Sequence, residues 1–212
     1  IAAVRGLSDD IVLVDSGSKD HTVAIAEALG ARVIHNDWPG YGPQKRFAED
    51  QCRHNWLLNI DADEVAPSDL VEEIRSALAG GAPGIDGFRI RIAEIFPGEE
   101  RPHPLAYALA PVRLYRRDRG RYADSIVHDR VAFDGEPTLV RLKGVLHHYS
   151  VRSIGEQMDK LNRYTDQQAR DLALRGESVP SWRLFVEFPL SFFKAYVMRR
   201  HAVRGLYGFM TS

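Results

Sequence analysis

Residues 57–67 read LLNIDADEVAP, an apolar run that ends in Asp61, Asp63 and Glu64. Three carboxylates so close repel one another unless a cation holds them or water screens them. Asp15, in IVLVDS, closes a second apolar run. Ligands of an open parallel sheet gather beyond the carboxyl ends of its strands, so two acidic strand ends together make a candidate site. Oxygen ligands of this kind suit Mg2+ or Mn2+, which keep several waters and commonly also hold substrate phosphates. The chemistry that fits is a divalent cation bridging to a diphosphate. Plainer roles stand beside it. Asp15 alone could be a turn or capping residue, and residues 61–64 a solvated loop in which Glu64 favours the start of the next helix.

The elements that must position these acids follow from the apolar pattern. IVLVDS (11–16) reads as a buried parallel strand. A helix follows it, with Ser18 as N-cap, Ala24, Ile25, Ala28 and Leu29 as its apolar stripe, and Gly30 as its stop. ARVIHN and NWLLNID are further strands, with a helix over PQKRFAEDQCRH between them and another over 67–80. This alternation predicts βαβ units and an α/β architecture. From 85 to 150 the pattern is mostly strand: GFRIRIAEIF, VRLYRR, SIVHDRVAF and LVRLKGVLHHYS. Helix then returns from 153. The expected organisation is a domain over 1–150 and a helical tail over 151–212.

The totals narrow the classes. Lys plus Arg number 28 against 29 Asp plus Glu, a net charge of −1, whereas a nucleic-acid binder carries a basic excess. No nucleic-acid partner is expected. The single Cys52 cannot form an intramolecular disulfide, which points to a reducing compartment, and it reads as buried filler rather than a nucleophile. No secretory signal is visible, and no stretch of 18 uncharged apolar residues reads as a membrane span.

VDSGSKDHT, NDWPGYGPQKRFAEDQC and WLLNIDADE together resemble the opening of an inverting family-2 glycosyltransferase of the GT-A fold. Within that family the chain is most similar to bacterial lipopolysaccharide-core enzymes, a likeness carried also by GVLHHYS, KLNRYTDQQA and RHAVRGLYGF. The resemblance implies a GT-A-like parallel or mixed sheet with flanking helices, a β-rich second half and a helical C-terminal tail. It implies a nucleotide-sugar donor, UDP-linked, with Mn2+ or Mg2+ as cofactor. Asp15 and Ser16 would face the base, Lys45 the base or ribose, and Asp61 the ribose. Asp63 and Glu64 would reach the metal, as would His147 or His148, with His147 preferred. Asp129, where the subgroup usually has Glu, is the implied general base. The family's usual first strand has no counterpart here, so either the sequence is trimmed or the sheet lacks a member. Arg46 stands where Asn is more usual.

Transfer with inversion needs a carboxylate within about 2.6–3.2 Å of the acceptor hydroxyl, a presented anomeric carbon and stabilisation of the departing diphosphate. Asp129 could equally be a strand-edge partner of Arg130 or Arg121. The run of Arg113, Arg116, Arg117, Arg119 and Arg121 could receive phosphorylated acceptor groups, although a solvated loop is the expectation for most of it. Residues 182–209 mix aromatics with Arg and Lys around Pro189. That composition fits an amphipathic helix on an anionic membrane surface, or one packed on its own domain or a twin subunit. The implied acceptor is lipid-linked or an oligosaccharide, and the implied location is cytoplasmic, peripheral on the inner face of a bacterial inner membrane. Two other readings compete. One is a haloacid-dehalogenase-like phosphatase, suggested by the DADEV run; the other is a non-catalytic nucleotide-sugar binder.

Overall fold

The computed structural model describes the chain except for residues 126–129, 151–152, 175, 177–179 and 181. It divides into two compact units, residues 1–92 with 109–146, and 93–108 with 147–212. Segment 93–108, which the sequence assigns to the first domain, therefore belongs with the C-terminal helices.

The first unit opens with the expected βαβ passage. Strand β1 (Val12–Asp15) pairs in parallel with β2 (Arg32–His35), placing Asp15 opposite His35. Helix α1 (Thr22–Ala28) connects them. Ser18 is not its cap: the Ser18 hydroxyl donates to Asp15 Oδ1, and Asp20 Oδ1 instead accepts from the Thr22 N–H at 3.0 Å. Helix α2 (Tyr41–Gln51) follows β2, with Pro43 in its first turn, where a missing N–H costs nothing.

The third strand departs from the parallel arrangement expected of it. Strand β3 (Trp56–Leu58) joins a second sheet and pairs antiparallel with β7 (Val112–Arg116). A three-residue apolar run specifies burial and leaves its partner open, and β7 supplies the matching apolar edge. The remaining strands of this sheet are β4 (Glu64–Val65), β5 (Gly87–Glu94), β6 (Ala108–Leu109) and β10 (Leu139–His148), in the order β3-β7-β5-β10-β4 with β6 on β5. Between β7 and β10 a small antiparallel pair forms from β8 (Gly120–Tyr122) and β9 (Val131–Phe133). The sheet is thus mixed, and the β-rich second half is present as expected.

Helix α3 (Ser68–Leu78) fixes this sheet. Its apolar stripe of Leu70, Val71 and Ile74 shares one core with Phe88, Ile90, Leu114, Leu142 and Leu146. A second, smaller core joins Leu57, Tyr115 and Tyr122, with Cys52 packed at its edge. Burial pushes the Cys52 thiol above its ordinary pKa, the condition of an inert rather than a reactive cysteine.

The second unit carries α4 (Ile154–Leu174), α5 (Trp182–Phe193) and α6 (Gly205–Met210). Pro189 lies inside α5, and the helix runs on into a π-helical turn over Lys194–Met198. Phe192 stacks on Tyr196 at 5.3 Å between ring centres, and Phe209 packs edge-on against both. Among the described residues, no helix is long and apolar enough to cross a membrane.

Candidate active site

The acidic tip begins three residues beyond β3, at Asp61. The Asn59 N–H bonds the Arg113 carbonyl at 2.8 Å, which prolongs the β3–β7 ladder past its last strand residue. The chain then turns, with the Glu64 N–H on the Asp61 carbonyl at 3.0 Å. The cation that the carboxylates require comes from the opposite strand. Arg113 Nη2 lies 2.9 Å from Asp61 Oδ2 and 2.7 Å from Glu64 Oε1, while Nη1 donates to Asn59 Oδ1 at 2.7 Å. Glu64 Oε2 also accepts the Asp61 N–H at 2.8 Å, and its side chain is only 1% exposed. Glu64 therefore braces the turn from inside. Oε1 and Oε2 both have protein donors, which narrows the metal role that the resemblance implies for it.

Lys45 supplies the second cation. Its Nζ sits 2.9 Å from Asp61 Oδ1 and 5.0 Å above the Tyr122 ring. Asp61 is thus held on both oxygens. Burial alone would raise its pKa, but the charges of Arg113 and Lys45 prevail and keep it below the usual carboxylate range. Arg113 is likewise opposed by burial and held firmly protonated by Asp61 and Glu64. Tyr122 reaches the same cluster, its hydroxyl donating to Asn59 Oδ1 at 2.9 Å.

Helix α2 ties this tip to the end of β1. The Gln44 side-chain amide donates to Ser16 Oγ at 2.8 Å and accepts from Asn36 Nδ2 at 2.7 Å. Lys45, the next residue, reaches Asp61. Asp15 closes the turn after β1: its carboxylate accepts the Gly17 N–H at 2.8 Å and the Ser18 N–H at 3.0 Å. The Ser18 hydroxyl and those two N–H groups hold its pKa below the ordinary value. Asp15, Ser16, Lys45, Asp61, Asp63 and Glu64 all fall in the first unit, with Asp63 half-buried in the turn between Asp61 and Glu64. His147 is the penultimate residue of β10 and falls in the second unit. Asp129 lies outside the described residues.

The backbone at 42 shows why the GYGPQK entry needs glycine. The Gly42 N–H bonds the Ser125 carbonyl at 3.0 Å, and a Cβ there would stand 2.1 Å from the Ala123 carbonyl oxygen. Arg46, which stands where Asn is more usual, donates to the Tyr122 carbonyl at 2.9 Å.

Arg113 of the arginine run is buried, and the other members are paired or hydrogen-bonded while still partly or largely exposed. Arg116 pairs with Asp118 at 2.7 Å, Arg119 with Asp86 at 2.9 Å, and Arg121 with both Glu49 and Asp50. Arg117 donates to the Glu49 and Cys52 carbonyls. Sequence reasoning missed Gln44, Asn59, Glu49 and the role of Arg113. Glu49 is buried and accepts from the Tyr115 hydroxyl at 2.6 Å and the Tyr122 N–H at 2.9 Å. The only sequence signal for it was an acid on the inner face of a helix.

Among the described residues, no group of three His, Cys, Asp or Glu side chains could close around an ion. Mg2+ and its like can bind through as few as one or two carboxylates together with substrate phosphates. The resemblance gives Asp63 to the ion and Asp61 to the ribose, and Asp61 has both its oxygens on protein cations, Lys45 and Arg113.

Removing the Arg113 charge takes away the cation that faces Glu64 Oε1 inside the protein. Arg113→Met should lower unfolding stability by about 3–5 kcal/mol, the cost of breaking a buried pair from one side. Arg113→Met with Glu64→Gln should recover part of that loss in a double-mutant cycle read by urea unfolding. Additive losses would show that the two side chains are not coupled.

The sequence profile of glycosyl transferase family 2 matches residues 1–134. An uncharacterised glycosyltransferase of Rickettsia prowazekii is 36% identical over 220 residues, covering all of this chain and 75% of that protein. The lipopolysaccharide core biosynthesis glycosyltransferase LpsC of Rhizobium meliloti is 31% identical over 217 residues, covering 96% of this chain and 77% of LpsC. Among solved structures, glucosyl-3-phosphoglycerate synthase from Mycobacterium tuberculosis, in complex with Mn2+ and UDP-glucose, aligns with a TM-score of 0.40 at 18% identity. That alignment covers 84% of this chain and 76% of that one, a likeness too distant to carry an argument about the site. The profile match, together with relatives above 30% identity along the chain, shows that this protein belongs to glycosyl transferase family 2.

Proposed function

We propose that the chain transfers a sugar from a UDP-sugar to a lipopolysaccharide-core or related glycan acceptor, with inversion at the anomeric carbon. The observation that supports this most is the bracing of Asp61 by Lys45 and Arg113, with α2 linking it to the turn at Asp15 and Ser16. A carboxylate already neutralised on the protein side is positioned, not merely present. The likeness to LpsC favours the acceptor class.

In this reading the turn at Asp15–Ser18 shapes the wall that receives the base, and Lys45 and Asp61 fix the ribose side. Asp63 would hold Mn2+ or Mg2+, which as a Lewis acid would stabilise charge on the departing diphosphate. Asp129 takes the proton of the acceptor hydroxyl while that oxygen bonds to the anomeric carbon and the bond to UDP breaks. The roles of Asp129 and His147 rest on the sequence pattern alone. Glu64 acts by holding Arg113 and the turn. Family membership removes the ground for a phosphatase, and a non-catalytic binder becomes an outcome of the tests.

Helix α5 supports a membrane-surface contact as well. Phe185 and Phe188 are 80% and 76% exposed, Trp182 and Leu190 are also exposed, and Lys194, Arg199 and Arg200 follow. Such a face would bury its rings at a lipid interface and set its cations among anionic head groups.

Three measurements check these roles. UDP with Mn2+ should raise the melting temperature, by about 2.7 kcal/mol of stabilisation at 100 times the dissociation constant. Asp63→Ala should remove the Mn2+-dependent part, and equal stabilisation by UDP in chelator would count against a metal role. Asp129→Asn should reduce transfer by a factor of about 10²–10⁴ while UDP binding persists; undiminished transfer would remove Asp129 from the mechanism. The protein should sediment with anionic vesicles, and Phe185→Ser with Phe188→Ser should release it. Wild-type protein left in the supernatant would overturn the surface contact.

A further inference from the structure

The C-terminal unit carries a half-open pocket of about 390 Å³ whose lining includes Lys194, Arg199, His201, Ser191, Glu94 and Phe96. That volume lies within the range of small-ligand sites. Its cations are gathered by an unusual stretch of backbone. In an α-helix, at 3.6 residues per turn, residues five apart diverge by roughly 140°. The π-helical turn over Lys194–Met198 removes much of that divergence, with the Arg199 N–H closing on the Lys194 carbonyl at 2.9 Å. Such turns occur frequently at functional sites. Arg200 then takes a left-handed conformation, φ 59°, and reverses the chain into a 3-10 turn over His201–Arg204. His201 comes back to the same wall, its ring edge-on to Phe96 and its Nδ1 3.3 Å from Ser212 Oγ.

The neighbouring arginine shows the contrast. Arg204 is fully committed: it lies 3.9 Å over the Phe96 ring, pairs with Glu99 at 3.2 Å and donates to the Glu94 carbonyl at 2.9 Å. Lys194 and Arg199, by comparison, have no carboxylate partner among the described residues. The wall therefore offers an ammonium, a guanidinium and an imidazole against the single carboxylate of Glu94. A guanidinium grips a tetrahedral oxyanion through two parallel N–H bonds, and a lysine adds a point charge.

We propose that this cavity is a binding site for a phosphate monoester, with Lys194 and Arg199 as its anchoring charges. The inference does not rest on the transferase reading, since it uses neither the acidic tip nor a nucleotide. A soluble phosphorylated molecule and a phospholipid head group share the chemistry.

The test titrates inorganic phosphate into the whole chain at constant ionic strength and follows the melting temperature. Lys194→Gln, Arg199→Gln and Glu94→Gln are compared with wild type. Saturable stabilisation is expected, weakened about tenfold by each loss of a charged hydrogen bond and strengthened by Glu94→Gln. A cooperative melting transition in each variant without ligand reports separately that it is folded. Vesicles of phosphatidylcholine with and without phosphatidic acid then distinguish the source. Competition by phosphatidic acid vesicles with inorganic phosphate identifies a head-group site, and phosphate binding without competition identifies a soluble ligand. Equal phosphate affinity in wild type and in the Lys194→Gln/Arg199→Gln double variant, or no saturable response in wild type, overturns the proposal.

Discussion

The first unit depends on one guanidinium. Arg113 sits inside the protein, where an unpaired charge is costly, and is tolerable only because Asp61, Glu64 and Asn59 surround it. The converse also holds: the tight acidic turn is tolerable only because Arg113 lies beneath it. At the tip Asp61 and Glu64 face two cations, Arg113 and Lys45. A site of this kind is preorganised, because its charges are already oriented before anything binds.

Part of this was legible in the sequence. The acidic strand ends, the helix carrying Lys45 and the β-rich half all follow from patterns within ten or so residues. Arg113 was visible only as one member of an arginine run, and a run of charge reads as solvated surface. Its partner Glu64 lies 49 positions earlier in the chain, and no local periodicity records that pairing. Glu49 is hidden for the same reason: its donors, Tyr115, Arg121 and Tyr122, come from a different part of the chain. The antiparallel partner of β3 was likewise unreadable, since alternation of strand and helix suggests a crossover and three apolar residues cannot contradict it.

The two units use charge differently. In the first, the arginines of the 113–121 run are engaged by Asp61, Glu64, Glu49, Asp50, Asp86, Asp118 or main-chain carbonyls of the same unit, Arg116 and Arg119 at its surface. Exposed pairs of this kind add little stability, because water screens them and ordering long side chains costs entropy. In the second, Arg204 is likewise engaged, whereas the basic residues after α5 lie exposed beside a strongly apolar helix. Cations left in water near aromatic side chains stay available to something outside the chain.

Gly42 carries a mechanical consequence. Its contact with Ala123 and Ser125 joins main chain to main chain, so no rotamer change can loosen it. Helix α2 and the strand exit at 123–125 must shift as one rigid piece or stay put. Any displacement of that exit would drag Lys45 with it, loosening its grip on Asp61 and turning a movement of the loop into an electrical event at the acidic tip.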